Sequence, residues 1–415
     1  MLTANQLVVK NISILSSSGR YVDVSYLFEQ ITIKESMAMP AMNGSLTLTD
    51  DNDHYETVPF IGQEMLLIEF ETLDSTYSLV FRIYKISNIE KTNQRRSRYT
   101  LFFVSDEMIR NEKQRVNGSF ANMKYSDMVE LVLKDTISTS KDLAIAESLN
   151  DANYIAPNVR PFRMINHVLR KAVASSTKTS NYVFFEDRRG YIASPMNGFI
   201  AKEPKYEYQY NDSFQNASSE SSNIFSIQKI DIRRQSDALN LMQRGFFASQ
   251  LHSIDLLQRK IDVYDYDYFT VFDEINHLNP NPLFIPKEEF DTEGQQYFTY
   301  SDETIADNEY VSARDANIIP DLSSEFRTKR MIQNMSFANY VINMSIMGNI
   351  LLFVGDVVRI NMNSSFNKKS ETPHRMISGN SMVTAITHNI NSGNQYNQSV
   401  ELVKDSYSKP LGDEV

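Results

Sequence analysis

The chain has 415 residues, 41% of them hydrophobic and 22% charged, which is ordinary for a folded protein but too long for one core, so about two to four domains are expected. With no cysteine it has no disulfide, thiolate metal site or cysteine nucleophile, and with no tryptophan its large aromatic burial falls on 24 Phe and 22 Tyr. A formal net charge of −11 argues against grip on a nucleic-acid backbone, which needs clustered Lys and Arg.

Met1–Ser18 carries one lysine and no apolar core with a small-residue cleavage site, so it does not read as a signal peptide. Residues 1–108 read as all-β. Leu7–Leu15, Val22–Ile33, Gly44–Thr49, Glu64–Glu71, Tyr77–Ile89 and Arg98–Val104 make about six strands at the spacing of a barrel or sandwich. In the fourth, Leu66, Ile68 and Phe70 share one face and Glu69 and Glu71 the other; in the sixth, Tyr99, Leu101 and Phe103 share a face. Met37–Met42, with Pro40, breaks the pattern between the second and third. The basic run Arg95-Arg96-Ser97-Arg98 falls at an expected hairpin tip and reads as a solvated loop rather than a phosphate site.

Residues 109–205 change character. Ser126 is expected to cap a helix over Asp127–Lys134, with Asp127 favourable in its first turn. Pro161 opens a second helix in which Ile165, Val168, Leu169 and Ala172 share one face. Tyr182–Glu186 and Gly190–Ala193 form a hairpin around Asp187-Arg188-Arg189. Asn211–Asn223, rich in Ser, Asn and Asp, reads as a linker.

From Ile224 the β pattern resumes through Ile224–Ile232, and Arg259–Phe272 reads as strand-like. Asp273–Ser323 is enriched in acids and in Pro280, Pro282, Pro286 and Pro320, and reads as an insertion with little regular structure. Phe326–Met335 is a short helix by pattern. Val341–Ile360 is the most apolar window, but Asn343, Asn349 and Asp356 interrupt it; it reads as two strands turning at Gly348-Asn349, not as a membrane span.

The end of the chain repeats the front. Phe353-Val354-Gly355-Asp356, a polar loop over Ser364–His374, Ser381–His388 and Ser399–Asp405 follow the grammar of Phe60-Ile61-Gly62-Gln63, Tyr77–Ile86 and Tyr99–Asp106. Both copies begin Phe-[Ile/Val]-Gly-[Gln/Asp] and end apolar-x-apolar-Val-x-Asp. One β-module is used twice, with roughly 200 residues inserted between the copies.

The chemistry column is empty. His54, His167, His252, His277, His374 and His388 are scattered, with no metal spacing. In the cluster Asp262, Asp265 and Asp267 the last two have the alternate spacing of a calcium loop, but its glycine is lacking, and the stretch reads better as a strand with Tyr on one face and solvated Asp on the other. Glu186-Asp187 and Glu288-Glu289 are adjacent carboxylates, whereas glycosidase chemistry needs two facing each other across a cleft. No Gly-x-Ser-x-Gly or Gly-rich phosphate loop occurs. No catalytic, cofactor-binding or metal-binding residue is assigned, no cofactor is expected, and the chain is read as not an enzyme.

The Phe-Ile-Gly opening, Leu-Phe-Phe-Val-Ser-Asp-Glu at 101–107, the Ser126 helix, Arg160-Pro161-Phe162, Tyr-Val-Phe-Phe-Glu at 182–186 and the ending Met382-Val383-Thr384-x-Ile386-x-His388 … Val400–Asp405 carry a resemblance. In their order and spacing they resemble the baseplate hub protein of contractile-tailed bacteriophages, a fold family that includes the N-terminal part of the spike proteins of secretion and injection systems. The resemblance covers residues 1–265 and 325–406 and fails over Asp273–Ser323.

It implies a mainly β fold with an α+β part. The expected layout is a first tail-tube-like β-barrel or sandwich domain (1–108), an α+β domain (109–222), a second, discontinuous tube-like domain (223–272 and 324–408) and an insertion (273–323). It also implies a homotrimer whose six barrels form a pseudo-sixfold ring joining a threefold central spike to a sixfold tail tube, so that doubling the module resolves a symmetry mismatch. Such a ring nucleates tube assembly and forms part of the DNA passage, where an acidic bore would let DNA slide. The implied partners are the spike, a tail-tube or tube-initiator ring and baseplate wedge proteins; DNA is met only in passage, and no membrane is involved. The implied location is the virion tail baseplate, assembled in the host cytoplasm. Two other readings stand beside it: a phage-borne glycan or peptidoglycan hydrolase using acids of Asp262–Asp267 or Asp273–Glu293, and a receptor-binding tail adhesin.

Overall fold

The computed structural model describes residues 7–16, 19–51, 54, 60–72, 76–91, 96–149, 151–210, 225–255, 259–285, 299–303, 323–363, 373–393 and 395–411. The expected Asn211–Asn223 linker, the Ser364–His374 loop up to 372, and Glu288-Glu289 lie outside them.

The front of the chain forms β1 (Val8–Leu15), β2 (Tyr21–Asp23), β3 (Phe28–Ser36), β4 (Asn43–Asp50), β5 (Met65–Glu71), β6 (Thr76–Lys91) and β7 (Ser97–Val104). Strict alternation places Leu46 and Leu48, Leu66, Ile68 and Phe70, and Tyr99, Leu101 and Phe103 in one core, all fully buried. The strand expected over Val22–Ile33 is broken. Ser25 turns the chain by donating from its backbone N (2.9 Å) and its hydroxyl (2.6 Å) to Asp23 Oδ1, so β2 and β3 are separate.

The middle of the chain is α+β: α1 (Asp106–Lys113), β8 (Val116–Lys124), α2 (Tyr125–Leu131) running into a wide π-helical turn at Val132–Thr136, β9 (Leu143–Ile145), β10 (Asp151–Val159), α3 (Pro161–Leu169), β11 (Tyr182–Asp187), β12 (Gly190–Pro195) and α4 (Met196–Ile200). Pro161 opens α3 as expected, and Asn111 of α1 accepts from Phe162 N at 2.8 Å. Ser126 is not the cap. β8 pairs with β10 as far as Lys124 and leads straight into α2, so Ser126 lies buried inside the helix, its N donating to Ser148 Oγ at 3.1 Å. The β11–β12 hairpin turns at Gly190 (φ +127°), where any Cβ would lie 2.2 Å from Asp142 O.

The rest comprises β13 (Tyr206–Tyr210), β14 (Ile227–Gln235), α5 (Ala238–Gln243), β15 (Ala248–Asp255), β16 (Lys260–Asp267), α6 (Tyr268–Phe272), β17 (Asn281–Pro282), β18 (Thr299–Glu303), α7 (Ser323–Asn339), β19 (Tyr340–Met347), β20 (Val357–Met362), β21 (Gly379–Asn391), β22 (Tyr396–Val403) and β23 (Ser406–Tyr407). The strand-like reading of Arg259–Phe272 is half right. Asp267 ends β16 by accepting from Thr270 N at 2.9 Å and capping α6. β15, β16 and β18 form their own small sheet. A nearby aromatic cluster of Phe246, Phe247, Tyr268 and Phe272 packs with Ile332 and Met335 of α7. Part of Asp273–Ser323 is therefore regular: β18 pairs with β15, and β17 pairs with β23. The apolar window Val341–Ile360 holds β19 and the start of β20, but they do not meet in a tight turn. Gly348–Asp356 is a longer connection, and Gly348 leaves space that the Tyr396 ring fills.

The main sheet contains the same strand order twice. The front copy runs β3-β4-β7-β6-β5-β1 and the second β14-β19-β22-β21-β20-β13. They differ in the last strand, with β1 antiparallel to β5 and β13 parallel to β20, and in β2, which pairs with β1. The fold is mainly β with an α+β part, as expected.

Candidate interaction surface at the seam between the two β modules

The equivalence extends to single hydrogen bonds. In the front module Ile83 N donates to Glu64 O, in the second Val383 N donates to Asp356 O, each at 2.9 Å. The carboxylates of these two acids also hold the elbow before the strand: Glu64 Oε1 accepts from Ile61 N at 2.7 Å, and Asp356 Oδ2 from Phe353 N at 3.0 Å. A β-bulge follows at the same place, between Ile83 and Lys85 and between Val383 and Ala385. Matching Gly62 with Gly355 is one residue out of step, because the front copy carries an extra residue between glycine and acid. Both glycines keep the left-handed turn, at φ +87° and +86°.

The modules join edge to edge. β21 pairs antiparallel with β3 from Ala385↔Ser36 to Asn391↔Gln30, and Thr32 Oγ1 donates to Asn389 Oδ1 at 3.2 Å. The chain therefore already contains one barrel-to-barrel contact made through strand edges.

Buried charge locks that seam to the α+β unit. Arg188, in the β11–β12 turn, reaches Glu35 of β3 at 2.6 Å (Nε to Oε1) and donates to the carbonyls of Ile350 (2.7 Å) and Leu352 (2.6 Å). One side chain thus ties three units. His388 of β21 stands 3.4 Å from the same Glu35 oxygen. Burial raises the cost of the Glu35 charge, but the Arg188 guanidinium outweighs it and holds the carboxyl below its usual range. Burial, seconded by Arg188, pushes His388 down, and its Nδ1 shares hydrogen bonds with Tyr396 and Gln398. Beside it, Glu186 accepts from Met42 N at 2.9 Å and pairs with Lys141 at 2.5 Å, while Lys141 also holds Glu107 at 2.6 Å. Arg188, Arg189 and Lys205 sit over the Phe353 ring at 4.3 to 5.0 Å.

The other residues weighed in the sequence do not converge. His54 bonds Asp50 (2.9 Å), exposed His167 packs on Tyr154, and His252 bonds Gln250 (2.7 Å). His277 is held between Asp405 (2.8 Å) and Phe272 O (2.9 Å), and burial lowers His374. Among the described residues no group of three His, Asp or Glu could hold a metal ion. Asp265 accepts from Gln250 at 2.7 Å and Asp267 caps α6, which removes the calcium-loop pattern. Glu186 and Asp187 are buried in pairs with Lys141 and Arg189 and face no cleft. Arg96 and Arg98 pair with Asp51 (2.8 Å) and Glu29 (2.7 Å). A cavity of about 980 Å³ on the α+β unit, lined by Arg115, Arg160, Arg163 and Arg170, carries one carboxylate, Glu112, tied to Arg160 at 2.8 Å. No helix among the described residues is long and apolar enough to cross a membrane.

No protein-family model matches the chain, and no curated protein matches its sequence. Its structure aligns with the tail protein from Neisseria meningitidis MC58 at a TM-score of 0.60, with 9% identity over 95% of this chain and 96% of that one. It aligns with the 43 kDa tail protein of prophage MuSo2 from Shewanella oneidensis at 0.58, with 8% identity over 96% and 99%. This chain shares the fold of those tail proteins. At such identity the likeness is one of fold, and it covers 95–96% of this chain.

Proposed function

We propose that the chain is a structural hub of a contractile phage tail, located in the virion baseplate. Three copies place six like β modules in a pseudo-sixfold ring that joins a threefold central spike to a sixfold tube, nucleates the tube and encloses part of the DNA passage. The observation that carries this reading is the duplication: one chain holds the same strand order twice, with matching elbows and bulges, joined edge to edge at β3 and β21. A ring with sixfold and threefold faces needs such a chain; a tail component without that mismatch does not.

The proposed layout is 1–108, 109–222, 223–272 with 324–408, and 273–323, with β13 of the second segment contributed to the sheet of the third. Its partners are the spike, a tube or tube-initiator ring and wedge proteins, and the function is carried by shape and strand pairing rather than by catalysis. Of the acids on which the hydrolase reading rests, Asp265 is held by Gln250 and Asp267 caps α6.

The experiment is the absolute mass of the purified chain by light scattering, alone and co-expressed with the spike protein of the same particle. Three times the 47.8 kDa chain is expected in at least one case. A stable dimer, or a monomer that the spike does not change, overturns the reading.

A further inference from the structure

We infer that β14 of one copy pairs antiparallel with the outer half of β6 in the next copy, repeating between chains the β3–β21 contact made within one. This rests on the ring reading and names the edges that close it.

The register identifies the equivalents. Lining up the two sheets by their shared strand order sets Ile31 and Ile33 of β3 level with Ile230 and Ile232 of β14, and Ile386 and Thr387 of β21 level with Ile86 and Ser87 of β6. β3 is paired on both edges, by β4 and β21, whereas among the described strands β14 is paired by β19 alone along Ile227–Gln235. In β21 the first residues pair with β20 and Ala385–Asn391 pair with β3. In β6 the first residues pair with β5 up to Arg82, and beyond it one edge pairs with β7 while no described strand lies on the other. The two edges that meet inside the chain therefore recur, unmatched by any described strand, at β14, which ends the main sheet path, and along β6 beyond its pairing with β5.

Burial agrees. Ile31 and Ile33 are 0% and 3% exposed where β21 covers their edge, but Ile230 and Ile232 are only half-buried. Ile386 is fully buried against β3, yet Ile86 is half-buried and Ile89, further along β6, is 46% exposed. Charge on an edge strand commonly guards against such pairing, and β14 carries Lys229, Arg233 and Arg234. β3 carries Glu29, Lys34 and Glu35 and pairs nonetheless. An edge left open over the outer half of a 16-residue strand is a site for strand addition. The occupant is a second copy of this chain, because the chain itself holds the template of the contact. Each copy offers one edge of each kind, so the contact is head-to-tail, and it builds the proposed ring where the rotation between copies closes.

The absence of native cysteine makes the test direct. By the β3–β21 register, Ser87 falls opposite Arg234 and Glu90 opposite Asp231 of the neighbour, within reach of a disulfide. The full-length double variants S87C/R234C and E90C/D231C are oxidised and run without reductant beside the four single variants. The expected result is covalent oligomers, reversed by reductant, from a double variant and not from the single ones, with the copy number that light scattering gives. Double variants that keep the native oligomeric mass but do not cross-link overturn the strand pairing and leave the ring reading standing. A chain that stays monomeric with and without the spike, and does not cross-link, overturns both.

Discussion

Arg188 Nε lies 2.6 Å from Glu35 Oε1 with both side chains buried, the arginine from the α+β hairpin and the glutamate from the strand that forms the seam. The contact is an ion pair more than a well-directed hydrogen bond, since neither atom has a hydrogen-bond partner in good geometry. It fixes the angle between three units by charge that cannot relax into water.

Removing one partner leaves the other buried and uncompensated, which costs about 3–5 kcal/mol. Arg188→Met is expected to lose that much in urea denaturation, while Glu35→Leu with Arg188→Met loses less than the two single changes together. Additive losses would show that the pair is not coupled.

Lys404 supplies the pH dependence. Its Nζ is buried and donates to the carbonyls of Ile377 (2.5 Å) and Ser378 (2.9 Å), and burial brings its pKa from 10.5 down to about 7. Between those two values the unfolded chain holds a proton that the folded chain has released, so stability rises with pH across that window and falls again toward pH 7. The slope is at most about 1.4 kcal/mol per pH unit. Lys404→Met is expected to abolish this part of the slope in denaturation curves at pH 7, 8 and 9. A slope unchanged by the substitution would show that the carbonyls hold the ammonium charged in the folded state.

The two elbow glycines differ in cost. Both need left-handed backbone, but a Cβ at Gly355 meets the Phe199 ring at 2.6 Å, whereas at Gly62 the nearest atom is Tyr84 O at 3.3 Å. Gly62→Ala is expected to cost about 1 kcal/mol and Gly355→Ala clearly more, because ring and backbone strain add. Melting temperatures of the two variants check the order.

Asp405 latches the segment after α6 onto the second module. Its Oδ1 accepts from Leu278 N at 3.1 Å and its Oδ2 holds His277 at 2.8 Å. Asp405→Ala removes both, a loss of about 1–3 kcal/mol. Faster proteolysis within 273–285 is expected, with a smaller change in global melting. Unchanged cleavage would mean that the β17–β23 pairing alone holds the segment.

Much of the candidate surface was legible in one dimension. Period-two alternation marks Leu66, Ile68 and Phe70 as one face because a strand places successive side chains on opposite sides, and no tertiary fact is needed to read it. The repeated Phe-[Ile/Val]-Gly signal located the two modules, since a left-handed elbow is a local requirement that glycine meets. Other readings failed where distant contacts overrode local preference. Ser126 has the chemistry of a cap, but the β8–β10 pairing carries the chain into the helix before it. The regular part of Asp273–Ser323 exists because β15 and β23 supply partners from elsewhere in the chain.

The sequence by itself determined the mainly β class and the doubled module, because alternation and turn chemistry are properties of neighbours along the chain. Only the tertiary structure decided that β3 and β21 meet, that Arg188 reaches Glu35 across about 150 residues, and that β14 and the outer half of β6 keep an edge that no described strand pairs. Strand order and the pairing of buried charges depend on which segments meet in space, and a chain's local pattern is compatible with many such arrangements.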